Sequence, residues 1–328
     1  MARLGDIFTI SSGGTPDKRQ AKYYENGTIP WVKTGDLKEK YVSHNIERIT
    51  QEGLDNSSAK LFPADTVLVA MYGATIGACS ILGFEASTNQ ACAAFLPTSK
   101  VLPDYLYYFL QSKKDIFVQS SVGGAQPNIS AGYLKRFPFD IIPVESQRKI
   151  ISALDSVSTL ISLRKQQLAK LDELVKVRFV EMFGDLTINS KGLKIVHLSE
   201  VAEYFNGLTY KPENVSDIGT IVLRSSNIQD NQLDFADTVR VNCQIKERLF
   251  VRENDILMCS RNGSARLVGK VALIRELNEP MSFGAFMMII RSKYYPYLVT
   301  YFQDEDFRRQ IKTGATTTIN QITGRMLD

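Results

Sequence analysis

The sequence predicts an α/β (α+β) protein, with two repeated sheet-bearing domains separated by a long coiled-coil-type helix. Three observations predict it. The chain matches itself at an offset of about 190 residues. Its apolar runs are short, rich in Val, Ile, Leu and Phe, and bounded by Gly, Asn and Asp turns, with helical stretches such as 102–117 between them. Between the matching parts, Val144 to about Phe183 contains no Gly or Pro and is apolar at every seventh position.

The repeat runs in order along both copies. Ile29-Pro30-Trp31-Val32-Lys33-Thr34-Gly35-Asp36-Leu37 reads against Thr220-Ile221-Val222-Leu223-Arg224-Ser225-Ser226-Asn227-Ile228, each an apolar run ending in a basic residue, small polar residues and a turn. Phe62–Val69 aligns with Val251–Met258, a short buried strand led by Asp65 or Asp255. Each strand then enters a Gly-bearing turn, Tyr72–Gly77 or Arg261–Ser264. Farther on, Val101–Leu110 parallels Tyr294–Gln303, and Asn128 and Gly132 find partners in Asn320 and Gly324. A period this long means duplicated domains rather than solenoid units. The domains are set at 1–142 and 186–328, with the helix at 143–185.

The helix begins after Pro143, and Gly184 stands where a C-terminal cap belongs. Leu154, Ile161, Leu168, Val175 and Met182 form its apolar row. At 1.5 Å per residue the segment spans ~60 Å, more than a compact domain needs, which favours a spacer that pairs with another helix.

Composition excludes several classes. With 44% hydrophobic and 23% charged residues the chain is neither disordered nor collagenous. No apolar run approaches the ~18 residues of a membrane span, and Met1–Asp6 lacks an apolar leader, so a soluble cytoplasmic protein is expected. Cys79, Cys92, Cys243 and Cys259 never form a CxxC pair, and His44 and His197 have no neighbouring ligands, so no metal site is expected. The thiols read as small buried hydrophobes and the histidines as surface or edge residues. Net charge is +4, shared as +1, +1 and +2 among 1–142, 143–185 and 186–328, too mild to announce nucleic acid by itself.

Motifs for catalysis are weak. Gly263–Lys270 resembles a phosphate loop, but Val271 stands where a magnesium-binding Ser or Thr is required. Pro16-Asp17 with Asp36-Leu37-Lys38 has the form of a PD…DxK nuclease site, whose carboxylates would hold magnesium and whose lysine would orient water. The second copy offers no equivalent. No FxGxG or [DN]PP[YF] run marks a methyltransferase, and no catalytic residue is assigned.

The loops suit recognition better. Gly13, Gly14 and Thr15 offer backbone donors without side-chain bulk for close approach to a phosphate. Lys33 and Thr34, and Arg224, Ser225 and Asn227, supply charged and amide hydrogen bonds. Tyr72, Gly73 and Thr75 do likewise, as do Arg261, Asn262 and Ser264. An Arg or Asn among them could read a guanine or adenine edge bidentately. Lys113-Lys114 and Arg308-Arg309 read as solvated faces of amphipathic helices.

Taken in order, these segments resemble the specificity (S) subunit of type I restriction–modification systems, the HsdS family. The resemblance rests on Leu4-Gly5-Asp6-Ile7 with Ser12–Pro16, then Ile29–Leu37, Gly73-Ala74-Thr75-Ile76-Gly77 and Asn89-Gln90-Ala91. It continues through Gln126-Pro127-Asn128-Ile129-Ser130, Ile142-Pro143 and Gln147-Arg148-Lys149-Ile150 at the helix start. It implies two target recognition domains, each reading half of a bipartite site in double-stranded DNA, with the helices setting the gap. It implies a non-catalytic chain directing methylation (M) and restriction (R) subunits, which themselves use S-adenosylmethionine, ATP and Mg.

Against that family pattern, Asp328 aligns with Arg136, and the second copy has no counterpart of residues 137–185. The expectation is a second domain cut short and a second spacer helix missing. Five apolar residues of the helix row, ~7–15 kcal/mol of gross burial, then lack an intramolecular partner. Pairing with the same helix of a second chain, or with a methylation subunit, would cover them. An inactive truncated gene copy and the PD…DxK nuclease are the alternatives.

Overall fold

The computed structural model describes residues 2–122, 127–304, 307, 309, 310 and 320–328, so that Gln126 and Arg308 lie outside the described residues. The chain divides into two compact units, Met1–Lys165 and Gln166–Asp328.

The first unit carries β1 (Ala2–Arg3), β2 (Ile10–Ser12), β3 (Ile29–Val32), β4 (Arg48–Ile49), β5 (Leu61–Phe62), β6 (Val67–Ala70), β7 (Cys79–Ile81), β8 (Ala86–Thr88), β9 (Cys92–Phe95) and β10 (Pro138–Phe139). One sheet has the order β2-β9-β6-β7 and is antiparallel; a second, β4-β3-β8-β5, contains the parallel pair β3–β8. Strand β1 pairs with β10, tying the start of the unit to its closing strand.

The second unit carries β11 (Glu203–Asn206), β12 (Val215–Ser216), β13 (Thr220–Leu223), β14 (Ile228–Gln229), β15 (Gln232–Leu233), β16 (Arg240–Val241), β17 (Ile256–Cys259), β18 (Val271–Leu273), β19 (Met281–Phe283) and β20 (Met287–Arg291). Its sheet β11-β20-β17-β18 reproduces β2-β9-β6-β7 strand for strand, and β13–β19 reproduces the parallel pair β3–β8. The self-match in the sequence is therefore a repeated topology. Where the copies differ, β14 and β15 form a hairpin through Asp230 and Asn231, both at positive φ as a two-residue hairpin turn requires.

Strands β6 and β17 are apolar at every position because both faces are covered. In β6, Val67 and Val69 pack with Leu106 and Leu110 of the helix Pro103–Ser112, whereas Leu68 and Ala70 pack with Val32 and Phe62 of the second sheet and with Leu82. In β17, Ile256 and Met258 meet Leu298 and Phe302 of the helix Tyr295–Gln303, and Leu257 and Cys259 meet Leu223 and Phe283. Period-2 alternation thus feeds two cores from one strand.

The long helix runs unbroken from Val144 to Phe183, and Gly184 caps it at φ 77°, as the sequence predicts. Its first turn is anchored by Gln147, which is fully buried: its amide oxygen accepts from the Leu102 N–H (2.8 Å) and its NH2 donates to the carbonyls of Ile142 (2.9 Å) and Lys100 (3.0 Å). Two turns on, Asp155 accepts from the Lys40 ammonium and the Tyr108 hydroxyl, and Lys40 also reaches Asp104 at 2.7 Å. Burial alone would lower the Lys40 pKa, but the hydrogen bonds to Asp104 and Asp155 hold it well above the ordinary lysine value. In the second unit Phe179 and Phe183 pack on Tyr297, with ring centroids 5.3 and 4.8 Å away. The row Leu154, Ile161, Leu168, Val175 and Met182 is exposed throughout, at 37–63%.

Cys79, Cys92 and Cys259 are buried as expected, and burial pushes the Cys79 and Cys92 thiols up to about 12. Cys243 departs from the expectation and is only half-buried, in a loop following β16 rather than in a strand. His44 is exposed and stacks on Phe84 at 4.2 Å. Among the described residues, no helix is long and apolar enough to cross a membrane.

Candidate nucleic-acid interface

The predicted recognition residues lie in the loops that follow β2, β3 and β6 in the first unit, and β13 and β17 in the second; the loops after β8 and β19 join them. Hydrogen bonds between these loops hold them together. In the first unit Asn89 N donates to Val32 O (3.0 Å), Met71 N donates to Ala91 O (2.9 Å), and Gly14 N donates to Thr88 O (2.9 Å). In the second, Gly284 N donates to Leu223 O (2.9 Å), Ser260 N donates to Phe286 O (3.0 Å), and the Asn262 amide donates to Ser225 Oγ (3.1 Å). The two frames are built alike.

Within them Lys33 and Arg224 are held in one manner. Lys33 Nζ bonds Glu47 Oε2 at 2.5 Å, and this hydrogen bond holds the lysine above its ordinary pKa. Arg224, at the equivalent position, bonds Asp237 at 2.9 Å, two residues before Val239, which holds the register position of Glu47. Neither carboxylate is evident from local sequence, because each lies more than ten residues from its cation. The pairs orient the cations without burying them, and each carboxylate could itself accept from a cytosine amino group. The Arg224 Nε is buried with no hydrogen-bond partner among the described residues, an unspent donor.

Four predicted residues stand differently from the expectation. Gly13 and Gly14 are buried, so their backbone is not displayed to a phosphate; the Gly14 N–H is used by Thr88 and its carbonyl accepts from the buried Trp31 indole at 3.0 Å. Asn227 is fully buried: its amide donates to the carbonyls of Asp234 and Asp237 (both 2.8 Å) and its oxygen accepts from Arg224 N. It shapes the loop that presents Arg224 and is closed to a base edge. Thr15 is half-buried, its hydroxyl 2.5 Å from Gln90 Oε1, and acts within the loop frame.

The others reach the surface. Tyr72 is exposed; Gly73 takes φ 67° in the turn behind it, and Thr75 Oγ1 donates to Tyr72 O at 3.1 Å. Thr34 and Ser225 open equivalent short 3-10 turns and are half-buried. Arg261 and Ser264 are exposed, and Ser264 N donates to Asn262 Oδ1 at 3.0 Å. Phe286, a 59% exposed aromatic in the β19–β20 connection, carries no signal in the sequence, because exposure of a single Phe leaves no mark on composition.

The two carboxylates of the PD…DxK pattern are each engaged locally. Asp17 is engaged by Arg19 (2.9 and 3.0 Å), whose hydrogen bonds hold its carboxyl below the usual range, and Asp36 Oδ2 accepts from Lys33 N at 2.8 Å to cap its own turn. These carboxylates do local structural work.

Comparison with known proteins places this fold in a family. Residues 1–173 match the family model for the type I restriction modification DNA specificity domain. The specificity subunit of the EcoR124I/EcoR124II type I restriction enzyme of Escherichia coli is 27% identical over 188 residues, 56% of this chain and 46% of that protein. The MjaIX specificity subunit of Methanocaldococcus jannaschii is 28% identical over 188 residues, 56% of this chain and 43% of that protein. The StySPI specificity subunit of Salmonella potsdam is 24% identical across 98% of this chain and 75% of its own length. The chain therefore spans a little under half of the first two relatives. A solved chain from work on complex assembly and conformational transition of the type I R-M system shares the fold, with a TM-score of 0.55 over 99% of this chain and 83% of that one, at 14% identity. With more than half its residues matched by that family model, the chain belongs to the type I restriction modification DNA specificity domain family.

Proposed function

We propose that the chain is a non-catalytic DNA-specificity subunit whose two units each read one half of a bipartite double-stranded target. One observation carries this reading. The loop frames are the same in both units, while the side chains they present differ: Lys33 against Arg224, Thr34 against Ser225, Tyr72 against Arg261, Ala91 against Phe286. A constant frame with altered readers is what two different half-sites demand, since sequence is read by side chains at base edges while position is set by backbone and phosphate contacts.

In this reading methylation and restriction subunits supply the chemistry, with S-adenosylmethionine, ATP and Mg acting there rather than on this chain. The exposed apolar row Leu154, Ile161, Leu168, Val175 and Met182 is the surface for assembly, through another helix of the same kind or a methylation subunit. The mild charge fits a protein whose partners share the phosphate contacts.

Methylome sequencing of a host with and without the gene tests the proposal. A bipartite methyladenine motif present with the gene and lost on its deletion is expected. Identical methylomes would remove the reading.

A further inference from the structure

Phe286 and Arg261 form a pair whose arrangement is not explained by packing. The Phe286 ring is 59% exposed, yet its backbone is fixed: its carbonyl accepts from Ser260 N, Arg261 N and Ser260 Oγ, each at 3.0 Å. The Arg261 guanidinium carbon lies 5.2 Å from the ring centroid. Lys33 and Arg224 spend their charge on Glu47 and Asp237, whereas Arg261 makes no ion pair among the described residues. An exposed aromatic thus holds an unspent, planar, five-donor cation, fixed in place before any ligand arrives. Asn262, the next residue, is tied to Ser225 beside Arg224, so the pair adjoins the other reader of this unit.

We infer that Arg261 and Phe286 are specificity-determining residues of the half-site read by the second unit. Arg261 takes a guanine through O6 and N7, and Phe286 packs on the 5-methyl group of a neighbouring thymine in the major groove. Stacking on Phe286 limits the arginine's rotamers in the free protein, so less freedom is lost on binding. The first unit has Tyr72 and Ala91 at these places, so this readout belongs to one half of the target only.

The inference rests on the proposed function, and one experiment separates their failures. The intact gene, Arg261→Ala, Arg261→Lys, Phe286→Ala and Phe286→Leu are each introduced into the gene-deleted host, and the methylomes are compared. Arg261→Ala and Arg261→Lys are expected to accept other bases at one guanine of one half. Phe286→Ala and Phe286→Leu should do so at an adjacent thymine, with methylation of substituted sites rising about tenfold or more and the other half unchanged. If the intact gene yields a motif that all four variants leave unaltered, the inference falls and the proposed function stands. It falls equally if the alanine variants abolish methylation while Arg261→Lys and Phe286→Leu keep the motif intact, since the pair would then be structural. No motif with the intact gene overturns both.

Discussion

Replacing Gly13 by Ala is expected to destabilise the first unit by about 3 kcal/mol or more, and Gly207→Ala the second unit by as much. A Cβ on Gly13 would lie 2.0 Å from Thr88 O and 2.5 Å from Thr88 Oγ1; on Gly207 it would lie 2.1 Å from Phe283 O and 2.5 Å from Gly284 O. Thr88 O and Phe283 O are backbone atoms at the ends of β8 and β19, so relief requires moving a buried strand that is parallel-paired to β3 or β13. Gly35 and Gly263 supply the control. A Cβ on either meets nothing within 4 Å and neither has a left-handed φ, so alanine there should change stability by no more than ~0.5 kcal/mol. Hydrogen exchange by mass spectrometry on the whole chain reads the units separately. Lost protection in β2 and β9 for Gly13→Ala, and in β11 and β20 for Gly207→Ala, is the expected pattern; unchanged protection would contradict it.

The second large effect is confined to one copy. Asp255 is 1% exposed and meets Arg291 in a two-pronged contact, Nε to Oδ1 at 2.8 Å and an NH2 to Oδ2 at 2.7 Å, while also accepting from Arg252 N at 2.8 Å. Asp255→Ala leaves the guanidinium without its partner and should cost the second unit ~3–5 kcal/mol. Asp255→Ala with Arg291→Met should recover a large part of that loss, because the uncompensated charge is gone. The first unit manages the same place without charge, with Thr66 and Leu96 at the equivalent positions. Protection of β17 and β20 against exchange, and thermal unfolding of the whole chain, measure both variants. A double variant no better than the single one would contradict the explanation.

Local patterns in the sequence carried much of the fold. The heptad row without Gly or Pro marks one 40-residue helix, and the self-match marks a sheet order repeated in both units. Long-range neighbours were harder to read. Gly13 looks like an exposed donor until Thr88 is brought against it, and Asn227 looks like a base reader until its amide is seen closing a buried loop. Glu47, Asp237 and Phe286 escaped for the same reason. Their roles depend on which residues the sheets bring together, and spacing along the chain does not encode that.

In the proposed function the equivalent loops of the two units read opposite halves of one target. Methylome sequencing of the gene-deleted host complemented with Lys33→Ala, and separately with Arg224→Ala, tests it most directly. Each substitution is expected to relax base choice in a single half of the bipartite motif, and the two to affect different halves. Relaxation of the same half by both, or an unaltered motif in both, would contradict it.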